Sequence, residues 1–307
     1  MIGAAGLAVI IALAFTVRLA ERPAAAPRPR PWDAALPTAP GAYTGLYPEG
    51  VPGSYDQVTA FARATGVRPR LVTYYSGWLE QFQTGFAATV AEHGGVPLVQ
   101  IDPAGISLTA IASGGYDRYL DSYARAVLAY HRPVILSFGH EMNGTWYSWG
   151  YRHSSPAAFV AAWRHIVTLF RERGARNVTW LWTVNVIHAR HKVASPGPWW
   201  PGRSYVTWVG IDGYYFNSSA TFPPLFGPTI AAVRELTSAP ILIAETAAAP
   251  AAGQPAKIAD LFAGVRLYRL LGFVWFDNAH IRDWRLRQPG ALAAFGRVAR
   301  AYRRPAS

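Results

Sequence analysis

Short apolar runs recur along this chain from residue 41 onward, and segments with helical spacing separate them. Eight runs are predicted to be strands, and they cover residues 42–47, 70–75, 96–101, 133–139, 178–184, 208–214, 240–246 and 271–277. Their side chains are apolar almost without interruption, whereas a sheet with one solvated face would alternate apolar and polar positions. The pattern therefore indicates a parallel sheet that is covered on its outer face.

The segments between the strands carry helical periodicity and helical end signals. Helical patterns cover residues 117–131, 155–174 and 254–272. The clearest of them has Ser155 at the N-cap, Pro156 at the first helical position and Gly174 after the last turn. Residues 186–205, which include "SPGPWWPG", lack a good helix. Eight strands with helices between them predict an α/β fold, a single-domain (β/α)8 TIM barrel over residues 41–307. A doubly wound open sheet is the alternative, but no G-x-G-x-x-G motif follows the first strand.

Composition narrows the functional classes. The chain has 307 residues, of which 51% are hydrophobic and 15% charged, and this balance excludes bulk disorder. Its 12 Trp and 16 Tyr favour a site that stacks flat ligands, although large aromatics are also common in cores. The net charge is +12, but the folded part has no Lys/Arg-rich run and no zinc-finger or RNP pattern. We therefore expect no nucleic-acid partner, and loose attraction to acidic cell-surface polymers at most. The absence of cysteine excludes disulfides and thiolate catalysis.

The amino-terminal sequence suggests export. Residues 2–16 form an apolar run with the length of a secretory h-region, which is short for a membrane span. No Lys or Arg precedes the run, Arg18 and Arg22 follow it, and no clean cleavage site is present. We predict a signal peptide or signal anchor over residues 1–20 and a Pro/Ala/Arg linker over residues 21–40. The protein is expected to be extracellular, or membrane-anchored and facing outside.

Two glutamates stand at the ends of predicted strands four and seven. Glu141 follows "VILSFGH" and Glu245 follows "ILIA", and the carboxyl ends of barrel strands surround the active site. A lone Glu at a strand end is more often a salt-bridge partner, but a pair on these two strands can face each other across the opening. Such a pair suits glycoside hydrolysis. We expect Trp146 and Trp149 to shelter a neutral Glu141, and Tyr214 to donate a hydrogen bond to an ionised Glu245.

The stretch "HEMNGTWYSWG" resembles the acid/base segment of glycoside hydrolase family 26, which contains mainly endo-β-1,4-mannanases together with mixed-linkage β-glucanases and β-1,3-xylanases. The resemblance runs from about residue 43 to residue 295. It implies a barrel in which Glu141 is the general acid/base, His140 lies beside it, and Trp146 contributes to the site.

Three further segments carry the same resemblance. "GIDGYY" is similar to the strand-six segment of the family, which implies that Asp212 and Tyr214 hold the nucleophile. "IAETA" is similar to the strand-seven segment, which implies that Glu245 is that nucleophile. "GFVWFDN" is similar to strand eight, which implies that Trp275 forms a sugar platform.

Two departures from the family concern the sugar. Some family mannanases have Arg directly after the strand-eight Trp, where this chain has Phe276. Family mannanases also use a His near the end of strand three, where this chain has Gln100 and Asp102. Both departures weaken mannose specificity and leave the chemistry of the two glutamates untouched.

The remaining polar and aromatic residues at strand ends give weaker signals. Among them we predict that Tyr74, Trp78 and Asn185 contact sugar. The Asn-Gly pair before Thr145 is read as a turn that carries the Trp-rich loop. No metal and no cofactor are expected, because Gly144 rules out an H-E-x-x-H zinc site and the pair formed by His188 and His191 lacks a third ligand.

The sequence thus predicts a retaining endo-β-glycanase that acts on a plant-type or cell-surface β-glycan, foremost β-1,4-mannan, and that works as a monomer with a polysaccharide as its partner. A β-1,3-1,4-glucanase or endoglucanase is the first alternative. The second is a non-catalytic carbohydrate-binding barrel in exopolysaccharide assembly. The two hydrolase hypotheses fail if the carboxylates of Glu141 and Glu245 lie more than about 10 Å apart with no sugar-sized gap.

Overall fold

In a computed structural model, which describes residues 35–188 and 193–303, the eight predicted strands close into a barrel. The strands are β1 Tyr43–Pro48, β2 Leu71–Gly77, β3 Val96–Asp102, β4 Val134–Phe138, β5 Val178–Asn185, β6 Trp208–Asp212, β7 Ile241–Thr246 and β8 Gly272–Asp277. Each strand pairs in parallel with the next one along the chain, and β8 pairs with β1. The predicted TIM barrel is confirmed.

Helices cover the outside of the barrel. They are α1 Asp56–Thr65, α2 Thr84–Glu92, α3 Leu108–Ala112, α4 Asp117–Tyr130, α5 Pro156–Glu172, α6 Phe222–Leu236, α7 Gln254–Leu267 and α8 Pro289–Arg303. Ser155 caps α5 as predicted, since its Oγ accepts a hydrogen bond from the backbone N–H of Ala158 at 3.1 Å. Between β5 and β6 the described residues form only two short 3-10 turns, Gly197–Trp199 and Arg203–Tyr205, which agrees with the poor helical pattern there.

Side chains that point to the barrel axis form an inner core separate from the layer between strands and helices. Its buried members are Tyr43, Leu71, Leu98, Ile135, Leu181, Trp208, Leu242, Ala244, Leu271 and Val274. Because side chains alternate along a strand, the residues an even number of places beyond these members point to the same axis, at the open carboxyl end. This alternation decides which residues reach the mouth of the barrel.

The alternation is broken in β7. Gly210 of β6 pairs with Leu242, but Asp212, two residues further on, pairs with Glu245, three residues further on. The strand therefore contains one extra residue, a β-bulge. As a result Ala244 belongs to the inner core and its neighbour Glu245 also faces inward, toward the carboxyl end.

The first described residues lie against the opposite, amino-terminal end of the barrel. Leu36 packs against the inner core, and the hydroxyl of Tyr43 donates a hydrogen bond to the carbonyl of Pro37 at 2.9 Å. The predicted signal segment over residues 1–20, and linker residues 21–34, lie outside the described residues. Within the described ranges, no helix combines the length and the apolar character needed to cross a membrane.

Candidate active site

Glu141 lies in a turn just beyond β4 rather than in the strand itself. Its φ is +55°, a backbone conformation that residues other than glycine rarely adopt. The turn is held because the N–H of Glu141 donates a hydrogen bond to the carbonyl of Thr183 in β5 at 2.9 Å. The side chain is 6% exposed and is directed into the mouth.

Both oxygens of the Glu141 carboxylate accept hydrogen bonds. The indole N–H of Trp146 donates to Oε2 at 2.6 Å, and the amide of Asn185 donates to Oε1 at 2.5 Å. These donors favour the charged form, but burial and the nearby charge of Glu245 outweigh them and raise the pKa of Glu141 to about 7. Glu141 therefore holds its proton at mildly acidic pH, as a general acid requires.

Glu245 accepts hydrogen bonds from two tyrosines. The hydroxyl of Tyr214 donates to Oε2 at 2.7 Å, and the hydroxyl of Tyr75 in β2 donates to Oε1. Burial and the charge of Glu245 raise the pKa of each tyrosine well above its ordinary value, so both remain protonated donors. This arrangement holds the carboxylate of Glu245 in one orientation.

The two glutamates meet in one pocket, together with Asp212. One carboxylate oxygen of each of the three residues lies within 4.8 Å of the other two. Asp212 is fully buried, and its oxygens make no well-formed hydrogen bond. Burial and the charges of the two glutamates raise the pKa of Asp212 well above its ordinary value, so its neutral form is favoured.

The three carboxylates are close enough to contact a single cation. However, N–H and O–H donors already occupy the oxygens of Glu141 and Glu245, and hard cations such as Mg²⁺ and Ca²⁺ need about six or more oxygen ligands. The arrangement fits proton transfer better than metal binding. Of the histidine pair considered above, His191 lies outside the described residues.

His140 is buried beside Glu141 and contacts Asp102 and Tyr147. It is 2% exposed; its Nδ1 lies 3.0 Å from Oδ1 of Asp102, and its Nε2 lies 3.1 Å from the hydroxyl of Tyr147. Burial lowers the pKa of His140, but the charge and hydrogen bond of Asp102 overcome this and raise it to about 9. At neutral pH the imidazolium therefore places a positive charge among the carboxylates.

The two predicted tryptophans differ in position. Trp146 is 44% exposed at the mouth, and its ring crosses the turn so closely that a Cβ on Gly144 would lie 2.4 Å from it. Trp149 is 2% exposed, and its indole N–H donates to the carbonyl of His140 at 2.8 Å. Trp149 thus packs against His140, the residue next to Glu141, and its shelter of Glu141 stays a prediction.

Asn143 does more than form a turn. It is buried, its amide donates to the carbonyls of Asn185 and Ala194, and its Oδ1 accepts from the N–H of Asn185 at 2.9 Å. These bonds fix the backbone of Asn185, whose side chain donates to Glu141.

Two of the predicted sugar contacts, Tyr74 and Trp275, lie away from the pocket. Tyr74 and Trp275 are fully buried and point to the helices, where Tyr74 packs on Phe86 and Trp275 on Phe295. Their predicted roles are wrong because strand alternation sends the neighbouring residues inward instead. Trp78 is half-buried among aromatic side chains, namely Tyr116, Tyr119 and Phe138.

Sequence reasoning missed Tyr75, Tyr147 and the contact of Asp102 with His140. A signal for Tyr75 was present: Leu71 points to the axis, so alternation places Tyr75, four residues later, on the same side. The same alternation selects Phe276, two residues after Val274, and its ring centroid lies 5.8 Å from that of Tyr214.

The chain matches known proteins over the region that carries this site. The sequence profile of Glycosyl hydrolase family 26 matches residues 113–246. Endoglucanase H of Acetivibrio thermocellus is 29% identical over 272 residues, which is 83% of this chain and 29% of the relative. A mannan endo-1,4-beta-mannosidase of Caldalkalibacillus mannanilyticus is 34% identical over 83 residues, which is 25% of this chain and 15% of the relative.

The chain therefore spans less than a third of the length of these curated relatives. Among solved structures, an endo-beta-1,4-mannanase double mutant of Cellulomonas fimi superposes with a TM-score of 0.66 at 18% identity. It covers 84% of this chain, and the match spans 70% of the mannanase chain. At that identity the likeness supports the barrel fold alone.

Proposed function

Because this chain belongs to glycoside hydrolase family 26, we propose that it is a retaining endo-β-glycanase, with Glu141 as acid/base and Glu245 as nucleophile. The observation that carries the proposal is the pair of buried carboxylates whose oxygens lie within 4.8 Å and whose hydrogen-bond partners differ. Retaining glycosidases hold their carboxyl groups about 5 to 5.5 Å apart, whereas inverting enzymes leave room for a water between them.

In the first step Glu141 donates its proton to the glycosidic oxygen while Glu245 attacks the anomeric carbon. The bond from that carbon to the leaving sugar breaks, and a glycosyl ester forms on Glu245. Tyr75 and Tyr214 hold the attacking carboxylate in place before the reaction. The N–H groups of Trp146 and Asn185 then stabilise the carboxylate that Glu141 becomes.

The second step uses the electrostatic link between the same residues. The charge of Glu245 raises the pKa of Glu141, and this charge disappears once the ester has formed. The pKa of Glu141 therefore falls, so the residue remains ionised and removes a proton from the incoming water. Water attacks the anomeric carbon from the side the leaving group vacated, and Glu245 is released as a carboxylate.

For the substrate we propose a β-glucan with 1,4 linkages first and β-1,4-mannan second. The endoglucanase matches most of this chain, whereas the mannosidase matches 83 residues of it. Phe276 also follows the strand-eight Trp where some family mannanases have Arg, and the end of strand three carries Gln100 and Asp102 where family mannanases use a His. Parallel hydrolysis of lichenan, carboxymethyl cellulose and galactomannan tests the order: faster release of reducing ends from galactomannan would reverse it.

The catalytic proposal is tested with a slow-reacting 2-fluoro-glycoside. We expect one covalent adduct on Glu245 by peptide mass spectrometry, and no adduct in Glu245→Gln. A matched control is Glu235→Gln, because Glu235 is an exposed glutamate on α6, and it should label like the wild type. Sugar binding without any adduct, together with no hydrolysis, would favour a carbohydrate-binding barrel and refute the proposal.

Azide separates the two roles. In Glu245→Ala, azide should restore cleavage and yield the α-glycosyl azide, since it attacks in place of the carboxylate. In Glu141→Ala, tested on a substrate with an activated leaving group, azide should yield the β-glycosyl azide, because it attacks the glycosyl-enzyme. The opposite pairing of variant and anomer would exchange the roles assigned here.

A further inference from the structure

The two ends of the barrel carry opposite charge. At the amino-terminal end, exposed arginines stand in the segments that lead into the strands: Arg68, Arg70, Arg132, Arg173, Arg176 and Arg269. No Asp or Glu occurs in the described segments that lead into six of the strands. These segments are residues 66–70 before β2, 93–95 before β3, 131–133 before β4, 173–177 before β5, 237–240 before β7 and 268–271 before β8. We call these six arginines the arginine face.

Acidic residues gather at the other end, around the mouth. They are Glu49, Glu80, Asp102, Glu245, Asp277 and Asp283, besides Glu141 and Asp212, whose neutral forms burial favours. The arginines that stand there are partly neutralised, since Arg285 bonds to both Glu49 and Asp283. Fewer negative charges lie near the arginine face. Of its six members, Arg173 forms an ion pair with Asp121 of α4. Two further acidic residues, Glu92 and Glu172, stand in the last turns of adjacent helices.

The chain also enters the barrel at the arginine face, where Leu36 packs against the inner core. The apolar run at residues 2–16 precedes this point in the sequence. Residues 17–34 between them can span at most roughly 60 Å when fully extended. A membrane that held the apolar run would therefore lie within that distance of the arginine face.

The geometry points to an anionic phospholipid surface as the partner of the arginine face. Each Arg close to such a surface contributes about 1 kcal/mol, which is about fivefold in partitioning. The acidic end is repelled by the same surface, so both ends favour one orientation. The barrel docks with its arginine face on the lipid and its mouth directed away, toward glycans outside the membrane.

The first test compares two triple variants of the full chain that lose the same charge. One triple removes half of the arginine face: Arg68→Gln, Arg132→Gln and Arg176→Gln. The matched control removes exposed arginines elsewhere: Arg118→Gln, Arg152→Gln and Arg282→Gln. Both keep residues 1–34, so any binding through that segment is common to them, and thermal melting confirms that both fold.

Partitioning is measured by co-sedimentation with vesicles of phosphatidylcholine alone and with 30% phosphatidylglycerol added, at low salt. The ratio of the two partition coefficients should fall on the order of 100-fold in the arginine-face triple and less than about threefold in the control. An equal fall in both triples would indicate attraction through net charge only. No fall in either would exclude electrostatic docking, and each of these results overturns the proposal.

The second test reads orientation and uses the absence of native cysteine. Ser238→Cys, beside the arginine face, and Ala104→Cys, beyond β3 at the mouth, are both exposed positions. Each is labelled with a polarity-sensitive fluorophore. Anionic vesicles should shift the emission of the label at position 238 and leave that at position 104 unchanged; the reverse pattern would mean that the mouth faces the lipid.

Discussion

The indole N–H of Trp146 offers a direct way to move the pKa of the proposed acid. Replacing Trp146 with Phe keeps an aromatic ring over the mouth and removes the donor to Oε2 of Glu141. A hydrogen bond to a charged group contributes about 1.5–3 kcal/mol, and one pKa unit corresponds to 1.36 kcal/mol. Complete loss would therefore raise the pKa of Glu141 by about one to two units. Because Trp146 is 44% exposed, water partly replaces the donor, and we expect an increase of about half a unit to one unit.

The assay is the pH dependence of kcat/KM, which reports the ionisation of the free enzyme. In the wild type the alkaline limb should fall near pH 7, where Glu141 loses its proton, and in Trp146→Phe it should move to higher pH. Trp200→Phe is the control, because Trp200 packs on Trp182 and should leave the limb in place. An unchanged or lower limb in Trp146→Phe would show that this N–H does not set the pKa of the acid.

Four further outcomes are expected. The pKa of Glu141 in the folded state is about 7, above its ordinary value of 4.5, so folding becomes less favourable as the pH rises between these two values. Glu141→Gln removes this cost, and urea titrations should show a free energy of unfolding that increases by up to about 3 kcal/mol at pH 8 and by much less at pH 4.5. Asp102→Asn removes the charge that raises the pKa of His140, so NMR titration should show a lower value, and kcat should drop more at pH 8 than at pH 6. Gly272→Ala should destabilise the barrel by about 3 kcal/mol or more, because Gly272 has a φ of +144° and an added Cβ would lie 1.8 Å from the carbonyl oxygen of Tyr43. Gly290→Ala is the control and should melt like the wild type, because an added Cβ there meets no atom within 4 Å. Dialysis against EDTA should leave the initial rate of hydrolysis unchanged, and a loss restored by a divalent cation would assign the carboxylate cluster to metal binding.

The strands and the barrel could be predicted because each strand is a distinct apolar run and eight of them fill the length of the folded part. The two glutamates could be identified because a charged residue at the end of a buried strand stands out. The turn after β4 was visible in the Asn-Gly pair, but the bonds from Asn143 to Asn185 could not be foreseen, since they join segments 42 residues apart.

The sequence did not predict which way the strand side chains point, and the wrong predictions for Tyr74 and Trp275 have the same physical reason. A strand covered on both faces is apolar at every position, so the sequence does not reveal which face points to the axis. Tyr74 and Tyr75 are the same residue type, and Trp275 and Phe276 are both large aromatic residues. Only the packing of Leu71 and Val274 in the inner core shows which residue of each pair points to the axis. In each pair the residue that reaches the mouth was the one passed over.

The extra residue in β7 has a consequence for anyone who would transplant this chemistry. On an idealised scaffold with perfect two-residue repeats, Ala244 would occupy the lumen and the neighbouring carboxylate would turn toward the outer shell. Copying the side chains without the irregular ladder would yield a well-formed protein whose proposed nucleophile points away from the pocket. A design would therefore have to include the β-bulge of β7 as well as Glu245, because the bulge turns the glutamate side chain toward the pocket.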